Sequence, residues 1–362
     1  QRTSNFFPFN KMERRKFIRN TGLALSGLAM SPRLIANSTT DYKLPDNWFW
    51  SHGSSRISVE NWKILFDRLS RAGFNGMLSN GNHQFYTDLA PLCKEFGIQL
   101  HAWQWTVNRG GYAKEHPEWY SVSRKGDSVI DKPPYVGYYK WLCPSNEEVR
   151  KVIADDYANL TSIPGLSGVH LDYVRYCDVY LPTGLQPKYD LVQDHEMPEY
   201  DFCYCENCRS KFEGIHGYDP LDKDDPVADE AWHNFRLDQV VELVHGIVDA
   251  VHAKNSIITG AVFPTPEMSR RMVRQDWARF NLDAYQPMLY HDAYLEDTHW
   301  IARGIGEARA ELGPDIPIYA GMLFGRNCDP KLLVETYKEV RDAGGNGISI
   351  FTGRSLSDEQ LK

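Results

Sequence analysis

Gly168-Val169-His170-Leu171-Asp172-Tyr173-Val174-Arg175-Tyr176 is the stretch on which the fold turns. Its first four residues form a short apolar run of the kind that makes a buried strand. The run ends on a carboxylate, an aromatic ring and an arginine, and a long loop follows. A strand that delivers an acid at its C-terminal end is how a parallel α/β barrel equips its upper face. A plain ion pair between Asp172 and Arg175 under a loop is the alternative reading.

Working outward, strand-like and helix-like segments alternate from about residue 40 onward. Strands are expected near 47–50, 74–79, 98–103, 169–171, 257–262, 284–289, 318–323 and 347–351. Helical spacing separates them at 58–71, 86–96, 145–161 (with Ser145 as cap) and 227–253, and another helix starts near residue 205. Eight such strands predict a (β/α)8 barrel with long loops after the third and fourth strands. An open doubly wound sheet is the competing architecture. It would ordinarily carry a glycine-rich phosphate loop after the first strand, and none is present. The segment 355–360 reads as the start of an eighth helix that is very short or truncated.

The chain of 362 residues suits a single large domain over residues 41–362. Residues 1–40 read as an export signal. Arg14-Arg15-Lys16-Phe17-Ile18-Arg19 resembles a twin-arginine leader, and an apolar stretch over 21–30 follows, too short to span a bilayer comfortably. Met12 is then a plausible start, and a periplasmic or secreted location is expected. Net charge is −8, with no basic run beyond the N-terminus, which argues against nucleic acid as a partner. No other segment has the character of a transmembrane span. The oligomeric state is left open.

The strand ends of a barrel converge, so their residues are read together. Asp172 is the first catalytic candidate. Asp292 and Glu267 compete as the second carboxylate, each placed to reach the barrel mouth from a loop. His52, Asn80, Trp103, Trp105, His170, Tyr173, Arg175, Tyr290, His291 and Arg326 are the candidate substrate contacts. Arg175 is expected to orient Asp172 or to bind an acidic or sulfated group, and beside Asp172 it would keep that carboxyl ionised, which suits a nucleophile or a stabiliser of oxocarbenium charge more than an acid. The aromatic content of 13% adds to this picture, because aromatic faces stack on sugar rings. Carboxylates, tryptophans and hydrogen-bonding side chains in one cleft suit a carbohydrate.

Cys203-Tyr204-Cys205-Glu206-Asn207-Cys208 is the second strong signal. Three thiols in one turn at a helix start ask for a fourth ligand and a zinc ion. Cys143, beside Pro144, ranks ahead of Cys177 as that fourth ligand. The zinc would be structural and not catalytic. A disulfide is the alternative in an exported protein, although the chain's seven cysteines cannot all pair.

The Gly168–Tyr176 run resembles the strand-four signature of the family-10-like glycosyl hydrolases of bacteria. Tyr285-Gln286-Pro287-Met288-Leu289-Tyr290 resembles their strand-six region, and Gln275-Asp276-Trp277 the Asp-Trp that precedes it. That resemblance implies a (β/α)8 enzyme with Asp172 as its catalytic residue. Separately, Leu142-Cys143-Pro144-Ser145 together with the cysteine run is similar to the zinc cluster of family 42 β-galactosidases. That similarity implies zinc on Cys143, Cys203, Cys205 and Cys208. The Asn-Glu pair at strand four and the Glu at strand seven of that family are missing, so its galactosidase activity is not implied. The expected function is hydrolysis of a poly- or oligosaccharide. A non-catalytic carbohydrate-binding barrel is the rival, and a lyase or isomerase using His170 or His291 as base is a third reading.

Overall fold

A computed structural model describes residues 43–54 and 57–362. The expected leader lies outside the described residues. Strand β1 (Trp48–His52), helix α1 (Val59–Arg71), β2 (Gly76–Asn80), α2 (His83–Glu95) and β3 (Gln99–Trp105) open the barrel. Helix α3 (Glu147–Leu160), β4 (Gly168–Asp172), α4 (Glu206–His216), α5 (Glu230–His252), β5 (Ile257–Val262) and α6 (Pro266–Val273) follow. The chain continues through β6 (Ala284–Pro287), the single turn α7 (His291–Tyr294), α8 (His299–Leu312), β7 (Tyr319–Met322), α9 (Pro330–Asp342) and β8 (Gly347–Ile350).

All strands run parallel, in the order β6-β5-β4-β3-β2-β1-β8-β7. Bridges from Tyr285 to Ile318 and from Met288 to Gly321 join β6 to β7 and close the ring. The chain is a (β/α)8 barrel, and the long loops do follow β3 and β4.

Local chemistry explains the helices. Ser58, Asn82, Asp229, Thr265 and Asp329 each accept a backbone N–H of the helix they precede, satisfying donors that the helix cannot. Helix α3 departs from expectation at its start. Asn146 caps it, accepting from Glu148 and Val149, while Ser145 turns toward the cysteine cluster. The segment after β8 holds only a short 3-10 turn, Gly353–Ser355, and no eighth α-helix.

The barrel interior is filled by the inward side chains of alternate strand positions. Trp48, Trp50, Leu78, Trp103, Ala261, Ala284 and Tyr319 form one buried cluster. A larger apolar layer lies between the strands and the surrounding helices.

The long loops are stitched to each other. Ser123 bridges Phe202, the Tyr204 N–H donates to the Val122 carbonyl, and the Arg124 N–H donates to the Asp201 carbonyl. Under this seam Asp201 is fully buried between Arg236 at 2.5 Å and Arg124 at 3.2 Å, with Arg274 at 3.6 Å. Burial pushes the Asp201 carboxyl up, but the three guanidinium groups outweigh it and hold it below its ordinary range. Arg274 also pairs with Glu196. This network fixes the strand-four loop over the barrel mouth. No helix among the described residues is long and apolar enough to cross a membrane.

Candidate active site

A cleft of about 380 Å³ opens at the C-terminal ends of the strands. Its floor holds Asp172, the last residue of β4, which is only 7% exposed. The Trp103 indole N–H donates to Asp172 Oδ2 at 2.9 Å. The Tyr173 backbone N–H donates to Asp172 Oδ1 at 2.7 Å. That second bond is made possible by an unusual backbone: Tyr173 has φ of 49°, in the left-handed region. For a bulky residue this costs on the order of 1–3 kcal/mol and persists only where surrounding structure enforces it. Burial raises the Asp172 pKa to about 6, against the lowering effect of the two hydrogen bonds and of Arg175.

Arg175 does not pair with Asp172. Its Nη1 donates to Asp178 Oδ2 at 3.1 Å and to the Tyr176 carbonyl at 2.9 Å. Its guanidinium also lies over the rings of Trp141, Tyr173 and Phe263, at 4.8–5.3 Å. The expectation that Arg175 would keep Asp172 ionised is therefore corrected: desolvation wins, and Arg175 serves a different acid. Asp178 is buried and is the second carboxylate lining the cleft. Sequence reasoning missed it. Its signal was its place three residues beyond Arg175 in a loop already flagged as long.

Aromatic side chains make most of the remaining wall. Trp50, Trp103, Tyr135, Tyr139, Tyr173, Tyr189, Tyr290 and Tyr294 all line it. Trp105 and Tyr138 form the mouth, 38% and 55% exposed, with ring centroids 5.9 Å apart. His52 also lines the mouth, packed edge-on to Phe351. Of the candidate contacts, the cleft thus gathers His52, Trp103, Trp105, Tyr173, Arg175 and Tyr290 around Asp172.

The other candidates lie elsewhere. Asp292 sits on α7 with its side chain 85% exposed, 3.4 Å from the ring of His291, and does not line the cleft. Glu267 falls in the first turn of α6, exposed, because Pro266 starts that helix and carries the acid outward. His291 packs its ring against Phe324 instead of entering the cleft. Arg326 is exposed and away from the lining. Asn80 accepts the Gly53 N–H and so shapes the loop after β1. His170 is sealed inside the barrel, with Nδ1 2.8 Å from the Thr259 hydroxyl and its ring edge-on to Trp50. Desolvation drives its pKa well below the ordinary histidine value, so it stays neutral. Neither histidine lines the cleft, which removes the basis for a lyase or isomerase using one of them as base.

The sulfur atoms of Cys143, Cys203, Cys205 and Cys208 all lie within 4.8 Å of one another, and all four residues are buried. Cys177 is buried but outside this group. All four thiols are free, and Cys143 and Cys208, 3.3 Å apart, are too distant for a disulfide bond. Tetrahedral zinc with bonds of about 2.3 Å sets its sulfurs about 3.8 Å apart, a spacing this group fits. The Ser145 hydroxyl stands 2.9 Å from the Cys208 sulfur and 3.1 Å from that of Cys143. The cluster joins the strand-three loop, through Cys143, to the strand-four loop.

No protein-family model and no curated protein matches the chain. Solved structures do match in fold. The catalytic domain of a β-amylase from Paenibacillus polymyxa superposes with a TM-score of 0.58 at 11% identity, covering 88% of this chain and 96% of that one. A β-galactosidase from the Antarctic haloarchaeon Halorubrum lacusprofundi gives 0.59 at 13%, over 84% and 52% of the two chains. A GH42 β-galactosidase from G. stearothermophilus gives 0.55 at 13%, over 84% and 51%. The chain spans about half the length of the two galactosidases. At these identities the likeness is one of fold, shared with barrels named as glycoside hydrolases.

Proposed function

We propose that this protein is an exported glycoside hydrolase acting on a poly- or oligosaccharide, with Asp172 as its acid/base group. The observation that carries the reading is Asp172 itself, a desolvated carboxyl at the end of β4 on the floor of an aromatic cleft. A carboxyl that titrates near 6 holds a proton often enough at neutral pH to give it to a glycosidic oxygen. Each Asp172 oxygen accepts one N–H and keeps a lone pair for that proton. Asp178 supplies the second carboxylate that glycoside hydrolysis needs, to stabilise the developing oxocarbenium charge or to take a proton from water. The surrounding aromatic rings offer stacking faces for the sugar.

Zinc on Cys143, Cys203, Cys205 and Cys208 would have no open position for water and would serve the loops alone. The twin-arginine-like leader supports a periplasmic or secreted location. One observation favours a second reading, a barrel that binds carbohydrate without cleaving it. Asp178 is bound to Arg175, which leaves Asp172 as the one cleft carboxylate without an ionic partner.

Product analysis on a glycan panel separates the two, with wild type beside Asp172→Asn and Asp178→Asn. New reducing ends from wild type, reduced at least a hundredfold by Asp172→Asn, are the expected result. Binding without turnover by wild type would favour the second reading. Turnover surviving in Asp172→Asn would refute the role given to Asp172.

A further inference from the structure

The cleft's electrostatics select among sugars, and this argument rests on the carbohydrate reading above. Arg175 is the one lysine or arginine side chain lining the cleft among the described residues. It is 6% exposed. Its Nη1 is taken by Asp178 and the Tyr176 carbonyl, and three aromatic rings surround the guanidinium. The one guanidinium of the cleft is thus already ion-paired and ringed by aromatic side chains before an anion arrives. Two carboxylates stand against that single guanidinium, and a uronate or sulfate would be stripped of water beside Asp172 with nothing to compensate it.

The same walls offer neutral hydrogen bonding. The hydroxyls of Tyr139, Tyr173, Tyr290 and Tyr294 have no hydrogen-bond partner among the described residues, although each residue lines the cleft. A phenol both donates and accepts, which matches a sugar hydroxyl.

We infer that the cleft is specific for neutral glycans, its tyrosine hydroxyls binding sugar hydroxyls while the Arg175–Asp178 pair bars uronic and sulfated residues. This reverses the expectation that Arg175 recruits an acidic group. The pair acts as a specificity lock, because a free Arg175 would be an anion site and the bound one is not.

The test uses the full-length protein at pH 7.5. Quenching of tryptophan emission reads binding, since Trp50, Trp103 and Trp105 line the cleft. The probes are matched pairs: cellotetraose and mannotetraose against their C6-oxidised uronates, and tetragalacturonate methyl ester against tetragalacturonate. The expected result is at least tenfold tighter binding of the neutral member wherever either member binds. Equal or tighter binding of the uronates would overturn the inference while leaving the glycosidase reading intact. No binding by any member would count against the carbohydrate reading and take the inference with it.

Asp178→Asn is expected to narrow the neutral preference at least threefold by freeing Arg175. An unchanged preference would overturn the lock. Should that variant fold poorly, Arg175→Gln is the second check. It removes the only candidate anion site, so the neutral preference must persist or grow. A loss of preference there would also overturn the proposal.

Discussion

Asp172 makes a sharp statement about pH. Its carboxyl ionises near its ordinary value of 3.8 in the unfolded chain and near 6 in the fold. Between those values the folded state holds the extra proton, so ionisation opposes folding. The contribution is fully present below pH 4, is lost as pH rises through 6, and is flat above. The shift corresponds to about 3 kcal/mol. Asp172→Asn removes this dependence, so its stability relative to wild type should improve by about 2.5 kcal/mol from pH 4 to pH 7.5. Urea unfolding at the two pH values measures it, and a constant difference would mean that Asp172 is not desolvated. An acid role also sets the basic limb of kcat/KM near pH 6 when Asp172 must be protonated, and Asp172→Asn abolishes the limb along with the rate. Asp172 was legible because a strand end needs only pattern and register. The second carboxylate was not. Asp292 and Glu267 were placed by counting along loops, and helix starts at Pro266 and His291 turned both outward. Asp178 depends on the path of a long loop, which no periodicity encodes.

At the scale of elements, the loops after β3 and β4 carry the cleft wall, yet they contain little regular structure. Two fastenings hold them. One is the buried cluster in which Asp201 meets Arg236, Arg274 and Arg124. Removing the acid leaves Arg236 and Arg124 without their buried carboxylate, while Arg274 keeps Glu196. Asp201→Ala should therefore destabilise the protein by about 3–5 kcal/mol, measured by urea unfolding. A loss below 1 kcal/mol would show that water replaces the carboxylate. The other fastening is the cysteine group. Burial and mutual contact leave the four thiols ill matched without a cation, and a bound zinc would convert them to thiolates. Chelation should release about one zinc per chain, lower the melting temperature and open residues 173–205 to proteolysis. Unchanged stability and protease resistance after complete metal removal would reduce the cluster to packed thiols. The cysteine spacing made this site legible in advance, including Cys143. The ion cluster was invisible, because Asp201, Arg236 and Arg274 are far apart in sequence and no local pattern joins them.

For the whole molecule, barrel closure is the decisive event, since the cleft exists only when the eight strand ends form a ring. Seven of the neighbouring pairs are regular ladders, but β6 and β7 meet through isolated bridges. The strand alternation revealed eight strands; it held nothing about how β6 and β7 would meet. Gly321 sets how closely they do. A Cβ built there would lie 2.7 Å from the Pro287 carbonyl oxygen and 3.2 Å from the Met288 Cα, both backbone atoms that cannot swing aside. The missing side chain lets β7 approach β6 closely enough for the Leu289 N–H to reach the Gly321 carbonyl at 2.8 Å. Met288 and Tyr290, which line the cleft, sit on this seam and just beyond it. Gly321→Ala must push the two strands apart and should cost about 1–3 kcal/mol, the usual range for overpacking. Because the displaced backbone carries Tyr290 toward or away from Asp172, carbohydrate affinity should fall together with stability. Glycine-to-alanine exchange at Gly306, in the middle of α8 where an added Cβ meets nothing within 4 Å, is the control; it should leave affinity unchanged and raise stability by about 0.5–1 kcal/mol. Parallel urea unfolding and tryptophan quenching on the two variants decide the matter: if Gly321→Ala matches the control, the β6–β7 seam is not the tight point of the barrel.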